Sequence, residues 1–430
     1  MPEIERAGPE PESVRERVAE VFRAEYARVV ASVLRIVRDI DTAQDVVQEA
    51  FEQALDHWPA DGIPERPGAW LLTTARRRAL DHLRRARRVG ARTDALVHEM
   101  LGAPPPAPDV SDPDEIPDDR LRLIFTCCHP ALAADSRVAL TLRLVGGLST
   151  TEIARAFLVP EPTIAQRLVR AKRAIRDGAF PYEVPDGAER TARLSAVLAV
   201  VYLIFNEGYA AHSGPALVRH DLCEEAIRLG RVLTELMPGE PEILGLLALM
   251  ELQASRAAAR TDAAGGLVLL QDQDRRCWDR AGIARGLACL DQAGLRSGAG
   301  PYQLQAAIAA CHAAAPSCEA TDWPRIVAHY RALLELGPSP VVELNLAVAI
   351  GLAEGPPAGL AALDRIGDPV LRGYHLLPAA RADFLRRLGR SREAAAEYRR
   401  ALSLADNPRE QAFLAARLAA CEATGSSPPG

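Results

Sequence analysis

Apolar residues recur three and four positions apart through most of this chain, in long segments built from Ala, Leu and Arg. With about 3.6 residues per turn, that spacing gathers them on one face of an α-helix. The alternating β-branched runs that a sheet requires are few, and Gly and Pro mark the turns. The expected fold is therefore all-α. Two stretches interrupt the period. GAPPPAPDVSDPDEIPDD, ending at Asp119, holds six prolines and no helical pattern, so it reads as an extended linker without a core. A second break, AFPYEVPDG, covers residues 179–187. At 430 residues the chain is long enough for two or three domains.

Charge is distributed in blocks that the net value of −6 conceals. Residues 1–69 carry 15 acids and 8 bases, whereas 70–92 carry 8 arginines against Asp81 alone. Residues 93–119 then hold 8 acids and no base, and 120–178 hold 10 bases and 4 acids. Two basic blocks separated by an acidic one suggest two nucleic-acid footprints on a single chain.

The second basic block contains LSTTEIARAFLVPEPTIAQRLVRAKRAIR. Ser149 and Glu152 form a capping box that opens a short helix through Phe157. LVP makes the turn, and Pro162 suits the first turn of the next helix. Ile164, Leu168, Ala171 and Ile175 then form one apolar stripe. Thr163, Gln166, Arg167 and Arg170 occupy the other face, followed by Lys172, Arg173 and Arg176. Such a helix-turn-helix can offer short polar side chains and arginines to base edges and its later bases to phosphates. Its turn has Leu158 where Gly is usual. A left-handed Leu costs about 1–2 kcal/mol, so a wider turn is expected.

Nearer the N-terminus, DIDTAQDVVQEAFEQALDHW reads as an amphipathic helix capped near Asp41 or Thr42. Val47, Ala50, Phe51 and Ala54 face inward, and Asp45, Gln48, Glu49 and Glu52 form an acidic outer face. PGAWLLTTARRRALDHLRRARR follows, with Leu72, Ala75, Ala79 and Leu83 inward and Arg76, Arg77, Arg84 and Arg85 outside.

The order D-x-x-Q-D-x-x-Q-E-x-F, W-L-x-x-x-A-R-x-x-A-x-D-x-L-R-R, linker, then L-S-x-x-E-I-A…R-x-x-R-A-K-R-A-I-R resembles an extracytoplasmic-function (ECF) sigma factor over residues 14–177. The resemblance implies two small helical sigma domains joined by the acidic Pro-rich linker. The first would bind the clamp helices of core RNA polymerase and the minus-ten promoter element, the second the minus-thirty-five element and the polymerase flap. It assigns Asp45, Gln48 and Glu49 to the clamp. Arg76, Arg77, Asp81, Arg84 and Arg85 fall to the minus-ten region, although the family often has Asn in place of Arg77. Thr163, Gln166, Arg167, Arg170 and Arg173 fall on the minus-thirty-five helix. Expected boundaries are a flexible tail at 1–13, sigma region 2 at 14–92, the linker at 93–119 and sigma region 4 at 120–180.

Residues 186–424 exceed a minimal sigma factor. RADFLRRLGRSREAAAEYRRALSLADNP resembles a tetratricopeptide unit, with Gly389, Ala394, Tyr398 and Ala401 at matching spacing. Weaker copies end helices before Pro238 and Pro338. Stacked helix pairs of this kind make a concave array for a peptide or small ligand, here expected to regulate the sigma domains. YLIFNEGY and LLQDQDRRCWDR look like markers of a subgroup with such an extension. Their polar residues, Asn206, Glu207, Tyr209, Asp272, Asp274, Arg275 and Trp278, either line an interface or pocket or fix one packing through internal hydrogen bonds.

The acidic, Pro-rich N-terminus is unlike a secretory signal. The apolar run LSAVLAVVYLIF is too short to cross a bilayer and reads as a buried helix, so a cytoplasmic location without membrane contact is expected. The eight cysteines read as reduced thiols. Cys127 and Cys128 of TCCHP point about 100° apart on a helix, with no second ligand pair following, so neither a metal nor another cofactor is expected. No nucleophile–base spacing, phosphate loop or carboxylate pair suggests an enzyme. The competing reading is a one-component helix-turn-helix regulator with a helical sensor. It would bind its operator without polymerase.

Overall fold

The computed structural model describes residues 11–94, 116–157, 159–178, 182–185, 187–209, 220–262, 268–294, 298–366, 371, 373–405 and 408–425. Among these the chain is all-helical, and it divides into two compact units, 1–204 and 205–430.

The first unit contains α1 (Pro11–Val37), α2 (Ile40–Asp61), α3 (Pro67–Asp94), α4 (Ile116–Cys127), α5 (Ala134–Leu144), α6 (Thr150–Phe157) and α7 (Glu161–Asp177). α1 packs against α2, α3 and α4. Val29, Val30, Val33, Val47, Ala50, Ala54 and Trp58 are buried there. Trp58 meets Trp70 edge-on at 5.6 Å, tying the end of α2 to the start of α3. Arg38, between α1 and α2, adopts φ +55, the left-handed conformation that ends helices at a steric cost of about 1–2 kcal/mol outside glycine.

The cap of α2 is Asp39, which accepts the Thr42 backbone N–H at 2.8 Å, rather than Asp41 or Thr42. Burial of Ile40 draws it into the first turn and moves the cap outward. The expected linker is also shorter than its composition suggests. Thr93 and Asp94 finish α3, and 116–119 open α4 with Pro117 in the first turn. Of the tail expected at 1–13, residues 11–13 instead open α1, and residues 1–10, 95–115 and Leu158 lie outside the described residues.

At the second break, the Tyr182 hydroxyl donates to the backbone carbonyls of Ala31 (3.0 Å) and Asp119 (3.3 Å). Burial pushes its pKa well above the ordinary phenol value. α8 (Gly187–Tyr209) follows and carries the boundary between the two units within its length. Leu194, Val197, Leu198, Val200, Val201 and Ile204 are buried, as are Phe205 and Arg193. Arg193 donates to the Phe125 carbonyl at 3.1 Å and lies over the Phe125 ring. The full stretch Glu189–Tyr209 is long and apolar enough to cross a membrane by length and composition, which the shorter apolar run did not reveal. Half of that window is buried inside the protein, and core helices meet the same criteria.

The second unit continues with α9 (His220–Leu236), α10 (Pro241–Ala254), α11 (Arg280–Ala293), α12 (Pro301–Ala314), α13 (Trp323–Leu336) and α14 (Pro340–Ala353). It ends with α15 (Pro356–Asp364), α16 (Leu376–Arg387), α17 (Ser391–Leu404) and α18 (Pro408–Gly425). From α12 onward each helix packs on the next. Ala394, Tyr398 and Ala401 are buried along α17, and Gly389 in the α16–α17 turn takes φ +73. Gly351 and Gly359 let α14 and α15 close on the Phe384 ring, which a Cβ at either position would strike. Glu251, 3% exposed, pairs with both Arg231 and Arg285, whose side chains reach it from the surface.

Candidate nucleic-acid interface

Local sequence sets the two faces of α2. Its apolar stripe goes into the core, which leaves Asp45, Gln48, Glu49 and Glu52 exposed together. Gln48 donates to Glu52 at 2.9 Å, and Glu49 lies 3.4 Å from Arg78 of α3. The acidic surface is therefore partly neutralised by the next helix.

On α3, Arg77, Arg84 and Arg85 are exposed, and Asp81 pairs with Arg84 at 3.2 Å. Arg76 departs from expectation. It turns inward, and its Nε donates at 2.9 Å to the hydroxyl of Ser32, which is fully buried. Burial and neighbouring Arg35 and Arg28 lower its pKa, with Asp119 opposing. The cause is position: Arg76 follows buried Ala75 and borders the α1 side of the stripe. Leu83, expected inside, is only half-buried.

Asp119 is the residue that sequence reasoning missed. Counted as one more acid in a linker, it is buried, 2.9 Å from Arg122 and 3.5 Å from Arg35. The signal available was Arg122 three residues on, a helical pair spacing.

The helix-turn-helix has the expected capping box. The Ser149 N–H donates to Glu152 at 2.7 Å, and the Glu152 N–H returns to Ser149 Oγ at 3.1 Å. On α7, Ile164, Leu168 and Ala171 are buried and Ile175 half-buried. Gln166, Arg170 and Arg173 are exposed, Thr163 half-exposed. Arg170 donates to Gln166 at 3.5 Å, Arg173 pairs with Asp177 at 3.2 Å, and Arg167 pairs with Asp135 of α5 at 2.9 Å.

The basic end of α7 is not open. Lys172 donates to Asp41 at 2.6 Å, and Arg176 reaches Asp41 at 3.1 Å and Asp39 at 3.8 Å. Burial acts to raise the Asp39 pKa, but the two Thr42 hydrogen bonds and the charges of Arg176 and Lys172 outweigh it and hold the carboxyl below its ordinary value.

In the second unit the polar markers divide. Arg275 is buried and donates to the carbonyls of His312 and Ala315 and to Thr321 Oγ1, with Trp278 buried beneath its guanidinium. Arg260 lies 4.0 Å above the Tyr209 ring, and Asn206 and Glu207 are half-buried. Asp274 is exposed and chelated by Arg276, whose hydrogen bonds pull its carboxyl pKa down to about 2. Asp272 lies 3.5 Å from Arg417. Burial raises the thiol pKa of Cys127 and Cys128, the latter to about 11. Among the described residues no His, Cys, Asp and Glu group has metal-binding geometry.

Comparison with known proteins connects these elements. Residues 21–89 match Sigma-70 region 2, and residues 122–175 match Sigma-70, region 4. The ECF RNA polymerase sigma factor SigL of Mycobacterium tuberculosis is 34% identical over 146 residues, 33% of this chain and 77% of that protein. SigK of Mycolicibacterium vanbaalenii, another ECF RNA polymerase sigma factor, is 30% identical over 38% of this chain and 84% of its own length. The chain belongs to the ECF sigma factor family. Members of this family direct transcription and are not catalytic enzymes. An uncharacterized protein of Rhizobium meliloti is 46% identical over 392 residues, 91% of this sigma factor and 92% of that chain, so the resemblance to it includes the helical extension. Residues 193–294, which include both polar marker segments, match a family of unknown function, DUF6596. No solved structure matches.

Proposed function

We propose that this sigma factor binds core RNA polymerase and directs initiation at promoters carrying both minus-ten and minus-thirty-five elements. The supporting observation is the division of exposed charge between adjacent helices. Asp45, Gln48 and Glu49 on α2 suit a basic protein partner such as the clamp, whereas Arg77, Arg84 and Arg85 on α3 suit phosphate. Arg76 serves as a half-buried positioning residue, and Asp81 orients Arg84. On α7, Gln166 and Arg170 are free to approach bases, with Thr163 beside them. Arg173 reaches the backbone, and Arg167 joins the bases once released from Asp135.

The promoter elements of one site lie far apart along DNA. The ion pairs from Asp39 and Asp41 to α7 therefore describe a closed chain, and promoter engagement requires them to open. Regions 14–92 and 120–180 act as the two reading domains, joined by the linker. The array at 186–424 regulates the sigma domains, to which α8 joins it; within the first unit, Arg193 of α8 donates to the Phe125 carbonyl of α4. The protein works in the cytoplasm, where promoter and polymerase are found, and needs neither metal nor cofactor.

Transcription in vitro with core polymerase, followed by start-site mapping, tests this reading. A sigma factor gives defined starts that require both core and chain. Tight operator binding without core, and no core-dependent starts, would instead identify a one-component regulator.

A further inference from the structure

The second unit contains a partly open cavity that the proposed DNA-facing helices do not use. It measures about 310 Å³ and lies among α14, α16 and α18, with Leu269 and Gln271 along one side. Val348 and Leu352 of α14, Phe384 of α16, and Phe413 and Leu414 of α18 make its walls largely apolar. Protein interiors seldom leave voids much larger than a water molecule, whereas small-ligand sites begin near about 300 Å³ and combine apolar walls with a few polar groups.

The two ends of the cavity differ in charge. His375, which precedes α16, sits 3.3 Å from Glu410 in the first turn of α18. Arg387 and Arg417 lie further along the same two helices. At a rise of about 1.5 Å per residue they stand about 10–18 Å from the first end. Around them Arg386, Arg387 and Arg417 face two carboxylates. Asp383 is shared by Arg386 and Arg387, each at 2.7 Å, and Asp272 is 3.5 Å from Arg417. That leaves an excess of positive charge. Arg387 also donates to Gln271 at 2.7 Å. The Arg417 guanidinium lies 5.2 Å from the centroid of the Phe413 ring and makes no hydrogen bond among the described residues.

We propose that this cavity binds a small amphipathic carboxylate, its apolar body between α14, α16 and α18 and its carboxylate on Arg417 and Arg387. A guanidinium with uncommitted N–H groups matches the two oxygens of a carboxylate. Asp272, half-exposed and held by this one ion pair, is the group the ligand displaces, so occupancy releases the 269–272 segment. The inference concerns the helical array alone and does not rest on the promoter reading.

Calorimetric titration of the full chain tests it, with octanoate as probe and 1-octanol as the uncharged control. Octanoate is expected to saturate one site per chain and to bind about tenfold or more tighter than octanol, as for a charge-assisted hydrogen bond. Arg417→Gln, at a half-exposed position, should remove that margin. Ala380→Leu, which directs an isopropyl group into the cavity, should weaken both ligands, and Val348→Met does the same if that variant misfolds. Equal affinity for octanol, or octanoate binding untouched by Arg417→Gln, overturns the carboxylate assignment. Absence of saturable binding, more than one molecule per chain, or binding that survives the filling variants overturns the site.

Discussion

Lys172, late in α7, donates to Asp41 in the first turn of α2 at 2.6 Å, across 131 residues of chain. Arg176 joins it on the same carboxylate. The basic end of α7 is thus held by α2, the helix that carries the proposed polymerase surface.

Neutralising these acids should favour DNA. The Asp39→Asn, Asp41→Asn variant is expected to bind duplex DNA several-fold more tightly than the parent at low ionic strength, with the gap closing as salt rises. Asn retains the cap, so α2 is expected to stay formed. Acid should act in the same direction. A carboxyl whose folded pKa is depressed contributes stability that is present above its unfolded value and lost as pH falls through the folded one. The contribution of Asp39 should therefore fade below about pH 4. Fluorescence anisotropy across salt and pH measures both, and equal affinity of variant and parent would remove the closed-chain account.

Side chains on α7 should divide by role. Gln166→Ala is expected to change which minus-thirty-five sequences work, at about 1–3 kcal/mol for a lost base contact. Arg173→Ala should weaken all promoters alike and flatten the salt dependence. A promoter library separates the two, and equal losses across it for both variants would mean that neither reads bases.

The glycines around Phe384 give a prediction about stability. Gly351→Ala forces a methyl group into the ring, with an expected loss of about 1–3 kcal/mol. Gly389→Ala should cost about 1 kcal/mol through its left-handed backbone alone. Denaturant unfolding measures each. A neutral Gly351→Ala would mean that α14 and Phe384 are less tightly packed.

Truncation after Phe180 removes α8, and with it the Arg193 hydrogen bond to the Phe125 carbonyl of α4. The shortened chain is expected to lose most transcription activity, because apolar surface is exposed and the orientation of region 4 is left unset. Reporter output at matched soluble concentration measures this. A clear rise would show that the array inhibits rather than supports.

Helical periodicity made much of this legible in advance. The α2 stripe, the capping box at Ser149 and the α7 stripe follow from spacing alone, because each depends on neighbours within one or two turns. What sequence could not convey depends on partners far along the chain. Arg76 belongs to the same exposed-looking arginine run as Arg77, and only Ser32 on α1 distinguishes it. Asp119 ends an acidic, Pro-rich stretch, yet Arg35 and Arg122 bury it. Asp41 was part of a capping signal, and its pairing with Lys172 required the folded unit. In LLQDQDRRCWDR, Arg275 and Trp278 went inward while Asp274 stayed in solvent, a division that composition does not express.

The most direct test of the central claim is transcription by core polymerase with the Asp45→Arg, Glu49→Arg variant beside the parent. Exposed substitutions usually cost within about 0.5 kcal/mol, so the variant should remain folded. The account predicts defined, core-dependent starts with the parent and none with the variant, which also fails to retain core in a pull-down. A folded variant that retains core and initiates as well as the parent would contradict it.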